Sequence, residues 1–146
     1  MEDLLIKLNA CQDAREWAAD KTWEEVYNTC ERGDWLLWLF FRTNPDDLQL
    51  LTLARGHIAN TVRHLMKDER SINAVDVAIA FGEGKATREE LENASAAASA
   101  DDAAASAYAS SVYASAAAAR EQSLKQAADI VRKCLPIEKW NVINLI

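Results

Sequence analysis

From Arg88 to Leu135 the chain carries neither proline nor glycine, and within that stretch residues 94–119 hold fifteen alanines and six serines. Alanine loses least on entering a helix and brings no polar group to bury, so the stretch predicts helix. One straight helix over residues 88–135 would reach roughly 70 Å at 1.5 Å per residue, too long for a compact domain of this size. A turn is therefore expected. Ser99, with Asp102 three residues on, is the best place for a new cap, giving an antiparallel pair over residues 88–98 and 100–135. Small side chains let helix axes approach closely, so the tract suits a seam between helices. The competing reading of so biased a composition is a low-complexity linker. The stripe Leu124, Ala127, Ala128, Val131, Cys134 and Leu135 that follows argues for helix, which Pro136 ends while opening a short turn through Ile137 and Trp140.

Helix start and stop signals divide the remainder without any convincing strand. Leu4, Leu5, Leu8, Cys11, Ala14 and Trp17 recur at helical spacing, with a break expected near Asn9. Thr22 followed by Glu25 is a capping box and predicts a helix from Trp23 to Glu31. Gly33 suits its C-terminal stop and Asp34 a new cap, ahead of a segment, Trp35 to Phe41, that is apolar throughout and expected to be buried on all sides. Asn44, Pro45, Asp46 and Asp47 combine a cap, a first-position proline and acids at the positive end of a helix. A helix is expected from there to Lys67, with Leu48, Leu51, Ile58, Val62 and Leu65 as its stripe. Another is expected from Ser71, ended by Gly82 and Gly84, and Thr87 with Glu90 forms a second capping box. The expectation is an all-α fold: one domain over residues 1–146, a compact multi-helix bundle with a long alanine-rich antiparallel pair in its C-terminal half.

At 146 residues, half of them apolar and five of them Trp, the chain has material for a core of its own. Sixteen basic against 23 acidic residues give a net charge of −7, which repels phosphate backbones and anionic lipid and favours a basic protein partner. No nucleic acid and no membrane are expected. MEDLLIKLNA carries acids where a signal peptide needs a basic start, and no stretch approaches the ~20 apolar residues of a membrane span. Cys11, Cys30 and Cys134 are odd in number and far apart, with no CxxC pair, and read as free thiols of a cytoplasmic protein.

A search for chemistry finds no phosphate-cradling glycine loop, GxGxxG, GxSxG or HExxH motif. His57 and His64 lie seven apart on one expected helix, about 10 Å from each other, and cannot chelate one ion together. A cysteine–histidine nucleophilic pair would need a lowered thiol pKa, whereas each cysteine sits at an apolar periodic position or a helix end, where burial raises it. Adjacent acids such as Asp46 with Asp47, Glu89 with Glu90 and Asp101 with Asp102 diverge by about 100 degrees on a helix and serve better as helix-start charges than as acid–base pairs. No catalytic residue, metal or cofactor is expected. Trp35 and Trp38, with Phe40 and Phe41, are first of all buried area. An aromatic of this group that faced outward would be a binding anchor.

RGDWLLWL at 32–39, LMKDERSINAVDVAIAFGEGKATREEL at 65–91, the alanine-rich tract and CLPIEKW at 134–140, taken in order, resemble the immunity-protein family of polymorphic-toxin loci. That family is all-α and is also found in phage-like genomes. The resemblance implies a non-catalytic protein that docks on a toxin or other effector and blocks it, and it directs attention to the acids Glu89, Glu92, Asp101 and Asp102 as partner contacts. Two other classes compete. One is a small-molecule or nucleotide binder with a pocket near Trp35, Trp38, His57 and His64. The other is a phage-encoded regulatory protein that self-assembles through the alanine-rich helices as a homo-oligomer.

Overall fold

The structure is a computed structural model that describes residues 1–98 and 117–146. Every regular element among the described residues is helical, so the protein is all-α. The elements are α1 (Glu2–Lys7), α2 (Gln12–Ala18), α3 (Trp23–Thr29), α4 (Gly33–Thr43), α5 (Leu48–Asn60), α6 (Glu69–Gly82), α7 (residues 88–98) and α8 (Ala117–Cys134), with 3₁₀ turns at Arg63–Leu65 and Ile137–Lys139. Both the expected turn at Ser99–Asp102 and the antiparallel alanine pairing lie outside the described residues. No helix of the described residues is long and apolar enough to cross a membrane.

Backbone contacts gather into two compact units. One comprises Met1–Asp47 with Leu124–Ile146, and the other Leu48–Ser123.

In the first unit local chemistry sets the breaks. The expected interruption near Asn9 is present: α1 ends at Lys7, and Asn9 takes a φ of 58°, a left-handed conformation that Asn tolerates better than most residues. The capping box at α3 forms in full. Glu25 N donates to Thr22 Oγ1 at 3.3 Å, and Thr22 N donates to Glu25 Oε2 at 2.7 Å. Pro136 follows α8 and opens the 3₁₀ turn, as expected.

The core is built on the buried stripe Ala127, Ala128 and Val131 of α8 and Leu135 just beyond its end, together with Val26, Leu36, Leu39 and Phe40. Trp140 gathers three rings: its centroid lies 5.0 Å from Phe40, 5.1 Å from Trp23 and 5.9 Å from Tyr27. Tilted and edge-on contacts of this kind add to the area the rings bury.

The last carbonyls of a helix have no partner within it, and here side chains supply them. Tyr27 Oη lies 3.1 Å from the carbonyl oxygens of both Arg132 and Leu135, and Trp140 Nε1 donates to Leu135 O at 2.8 Å. In return the Arg132 guanidinium donates to Tyr27 O at 2.7 Å and to Cys30 O. The C-terminal ends of α3 and α8 thus cap one another.

Two assignments near α4 are corrected. Gly33 is not the stop of α3 but the first residue of α4, and Asp34 is its second residue rather than its cap. Gly33 is buried where a β-carbon would meet the backbone of α8, so the missing side chain serves close packing. Nor is α4 buried all round: Leu36, Leu39 and Phe40 are, whereas Trp35, Leu37 and Trp38 are partly open and Phe41 is 47% exposed.

Asn44 is corrected as well. It ends α4 instead of starting the next helix. Its Nδ2 donates to Lys139 O at 2.8 Å, and Asn141 N donates to its Oδ1 at 3.1 Å. The amide is spent on holding the final turn, and α5 begins only at Leu48.

In the second unit α5 packs on α6. Gly82 of α6 lies so close to Leu53 that an added β-carbon would stand 2.7 Å from Leu53 Cα, while one at Gly56 would stand 3.0 Å from Ile79 Cγ1. Leu51, Ala54 and Val75 are buried there. The helix expected to reach Lys67 stops at Asn60. Thr61 N and Val62 N turn back to Ile58 O and Ala59 O, and Thr61 Oγ1 donates to Ile58 O at 2.6 Å. Such side-chain competition for a helix carbonyl favours the tighter turn, and it leaves Val62 and Leu65 exposed instead of in the stripe. The next helix starts two residues before Ser71, with Asp68 as its cap accepting from Arg70 N at 2.7 Å. It ends as expected at Gly82, with Gly84 at a φ of 76°. At α7, Glu90 N donates to Thr87 Oγ1 at 3.2 Å.

Candidate functional site

The four short helices of the first unit leave an apolar cavity of about 460 Å³, within the ~300–1,000 Å³ of small-ligand sites. The break at Asn9 and the turn after α3 bend the chain around it. Leu5, Asn9, Ala10 and Cys11 form one side, and Ala14, Trp17 and Ala18 of α2 another. Val26 and Cys30 close the α3 side, and Asp34, Trp35, Leu36, Trp38 and Leu39 of α4 close the last.

Three of its walls are tryptophans, and each ring carries a cation. Lys21 Nζ is 4.5 Å from the Trp17 ring, Arg32 Cζ 4.5 Å from Trp35 and Arg42 Cζ 5.6 Å from Trp38. Trp17 and Trp35 meet at 6.1 Å between centroids. A second interaction holds each cation. Lys21 donates to Trp17 O at 2.5 Å, Arg42 donates to Leu8 O at 3.1 Å, and Arg32 forks onto Asp34 at 2.8 and 2.6 Å. Burial alone would raise the Asp34 carboxyl, but the Arg32 hydrogen bonds and charge outweigh it and hold it below its ordinary value. Burial pushes the Cys30 thiol up, opposed only in part by a backbone hydrogen bond of Arg32.

Of the four pocket candidates named from sequence, Trp35 and Trp38 line this cavity. His57 and His64 belong to the second unit. They are not on one helix, because α5 ends between them and His64 sits exposed in the 3₁₀ turn. Of the partner candidates, Glu89 and Glu92 are exposed on α7, with Glu92 held by Arg88 at 3.1 Å. Asp101 and Asp102 lie outside the described residues. Cys11, expected to be buried, is exposed at the start of α2 and lines the cavity. Phe41 is the aromatic of α4 that faces outward.

Sequence reasoning missed Trp17 as a wall and the three cations altogether. Their signal was legible: each cation stands three or four residues after or before its ring, the spacing at which helical side chains meet.

A second, open groove of about 520 Å³ lies between the Asn44–Asp47 link and the final turn, lined by Asp46, Asp47, Glu138, Lys139, Asn141 and Asn144 among others. Its central amide, Asn44, is committed to Lys139 and Asn141. Among the described residues no three His, Cys, Asp or Glu side chains are placed to hold a metal ion. No protein-family model matches the chain, and no curated protein and no solved structure matches it either.

Proposed function

We propose that this is a non-catalytic binding protein of the cytoplasm that neutralises a protein partner, in the manner of an immunity or inhibitor protein against a toxin or defence effector. The observation that carries the reading is the acidic character of α7 in a chain of net charge −7. Glu89, Glu90 and Glu92 are all exposed, and Arg88 is the single cation of residues 88–98, which gives that helix 1 − 3 = −2. Exposed charge of one sign accelerates and selects association with a partner of the other sign, so a basic effector such as a nuclease toxin fits this surface. Phe41 offers an aromatic anchor of the kind that dominates binding energy at protein interfaces. The alanine-rich antiparallel pair is part of the same proposal, as the packing seam that carries α7.

The test is calorimetric titration of the protein against the products of the genes beside its own. A saturable one-to-one complex supports the reading. So does a loss of affinity of roughly tenfold or more on reversing charge in Glu89→Lys with Glu92→Lys, since close charge pairs at interfaces couple by about 1.5 kcal/mol or more. No complex at micromolar concentration with any of these products overturns it. Self-association through the alanine-rich helices, seen by light scattering without any such complex, would replace it with an assembly role.

A further inference from the structure

We propose that the tryptophan-walled cavity of the first unit binds an uncharged aromatic molecule, its rings against the indoles and one hydroxyl or carbonyl group toward Asn9. The cavity carries this independently of the acidic α7, which belongs to the other unit. Trp17, Trp35, Trp38 and aliphatic side chains dominate the lining, so the body of the occupant is apolar. An apolar cavity of about 150 Å³ already takes benzene, and about 460 Å³ leaves room for a fused pair of rings. Three indoles, two of them with centroids 6.1 Å apart, favour an aromatic body over a saturated one, since offset and edge-on ring pairs are worth more than their buried area.

Charge selects against ions of either sign. Lys21, Arg32 and Arg42 stack on the rings but are not among the residues that line the cavity, so an anion inside would lose its hydration with no cationic donor to replace it. Asp34 is the charged residue of the lining, and Arg32 forks onto both of its oxygens. A cation would meet rings that each hold one already, within a local charge of 3 − 1 = +2 over Lys21, Arg32, Arg42 and Asp34. Asn9, also of the lining, is exposed at the break between α1 and α2, and its side-chain amide has no hydrogen-bond partner among the described residues. It can donate to or accept from one neutral polar group.

The experiment titrates the intact protein calorimetrically with 2-naphthol, its saturated counterpart decahydro-2-naphthol, 2-naphthoate and 2-naphthylmethylammonium, and follows Tm in parallel. 2-Naphthol is expected to bind saturably at one equivalent and to raise Tm. The saturated alcohol should bind at least about threefold more weakly, and both ions at least about tenfold more weakly. Cys11 is exposed and lines the cavity, so saturating 2-naphthol should slow its alkylation by N-ethylmaleimide at least about threefold, a reading of occupancy that needs no variant. Asn9→Gly suits the φ of 58° at that position, and it should weaken 2-naphthol about three- to tenfold while leaving naphthalene unchanged. No saturable binding of 2-naphthol overturns the proposal. Equal affinity for the saturated alcohol or for either ion, an unaltered alkylation rate at Cys11 or an unaltered 2-naphthol affinity in Asn9→Gly does the same.

Discussion

A β-carbon on Gly33 would stand 2.5 Å from Ala127 Cβ and 2.6 Å from Ala128 N, so the first turn of α4 lies directly on the backbone of α8. Gly33→Ala tests that contact. In an open helix the change would stabilise by about 1 kcal/mol through helix propensity. Here the neighbours include backbone atoms that cannot rotate away, and overpacking of this kind costs about 1–3 kcal/mol or more. The clash wins. Urea denaturation should show a net loss of about 2 kcal/mol, and a gain would show that α4 and α8 separate more easily than their packing implies.

Arg132 and Tyr27 exchange caps between two helix ends. Arg132→Ala leaves Tyr27 O and Cys30 O without their charged donor, a loss of about 3–6 kcal/mol for the two at ~1.5–3 kcal/mol per such bond. Lysine offers one compact charge in place of a planar fork, so Arg132→Lys should recover less than half of it. Tyr27→Phe removes one shared hydroxyl and should cost only about 1 kcal/mol. Chemical denaturation of the three variants should rank them in that order of loss: Arg132→Ala, Arg132→Lys, Tyr27→Phe.

The Glu25 carboxyl is held below its ordinary value of 4.5, first by the Thr22 backbone amide and then by the Thr22 hydroxyl. A depressed carboxyl stabilises the fold above its unfolded pKa, and that contribution fades as pH falls through the folded one. Stability should therefore decline below about pH 4.5. Thr22→Ala should lower stability at pH 7 by about 1 kcal/mol through the lost cap. In Glu25→Gln the difference between denaturation midpoints at pH 7 and pH 3 should shrink; an unchanged difference would assign the acid sensitivity to other carboxylates.

The three thiols should separate by reactivity. Cys11 is exposed, Cys134 partly covered and Cys30 buried. Burial raises the thiol pKa of both Cys30 and Cys134, which lowers their thiolate fraction at neutral pH. Titration with a chromogenic disulfide should give one fast equivalent that disappears in Cys11→Ser, a slower second, and a third that reacts only on unfolding. Fast reaction of Cys30 in the folded protein would contradict its placement.

Where a residue's role depends on its near neighbours, the sequence was readable. The Thr22–Glu25 box, the break at Asn9, the end at Gly82 and Gly84 and the stop at Pro136 all stand where local signals put them, because each partner lies within a turn. Gly33 and Asn44 were misread because their partners lie far along the chain. Ala127 is ninety-four residues from Gly33, and Lys139 is ninety-five from Asn44. A glycine that ends a helix and one that admits another helix look alike until the second helix is in place.

The sequence by itself therefore determined the all-α class and the local caps, since helix propensity and capping are decided within four residues. Tertiary structure alone decided that α8 passes over Gly33, that Asn44 clamps the final turn, and that Trp17, Trp35 and Trp38 wall one cavity. Those outcomes depend on which apolar stripes find one another when water is expelled, and area burial has no preference for partners nearby in sequence.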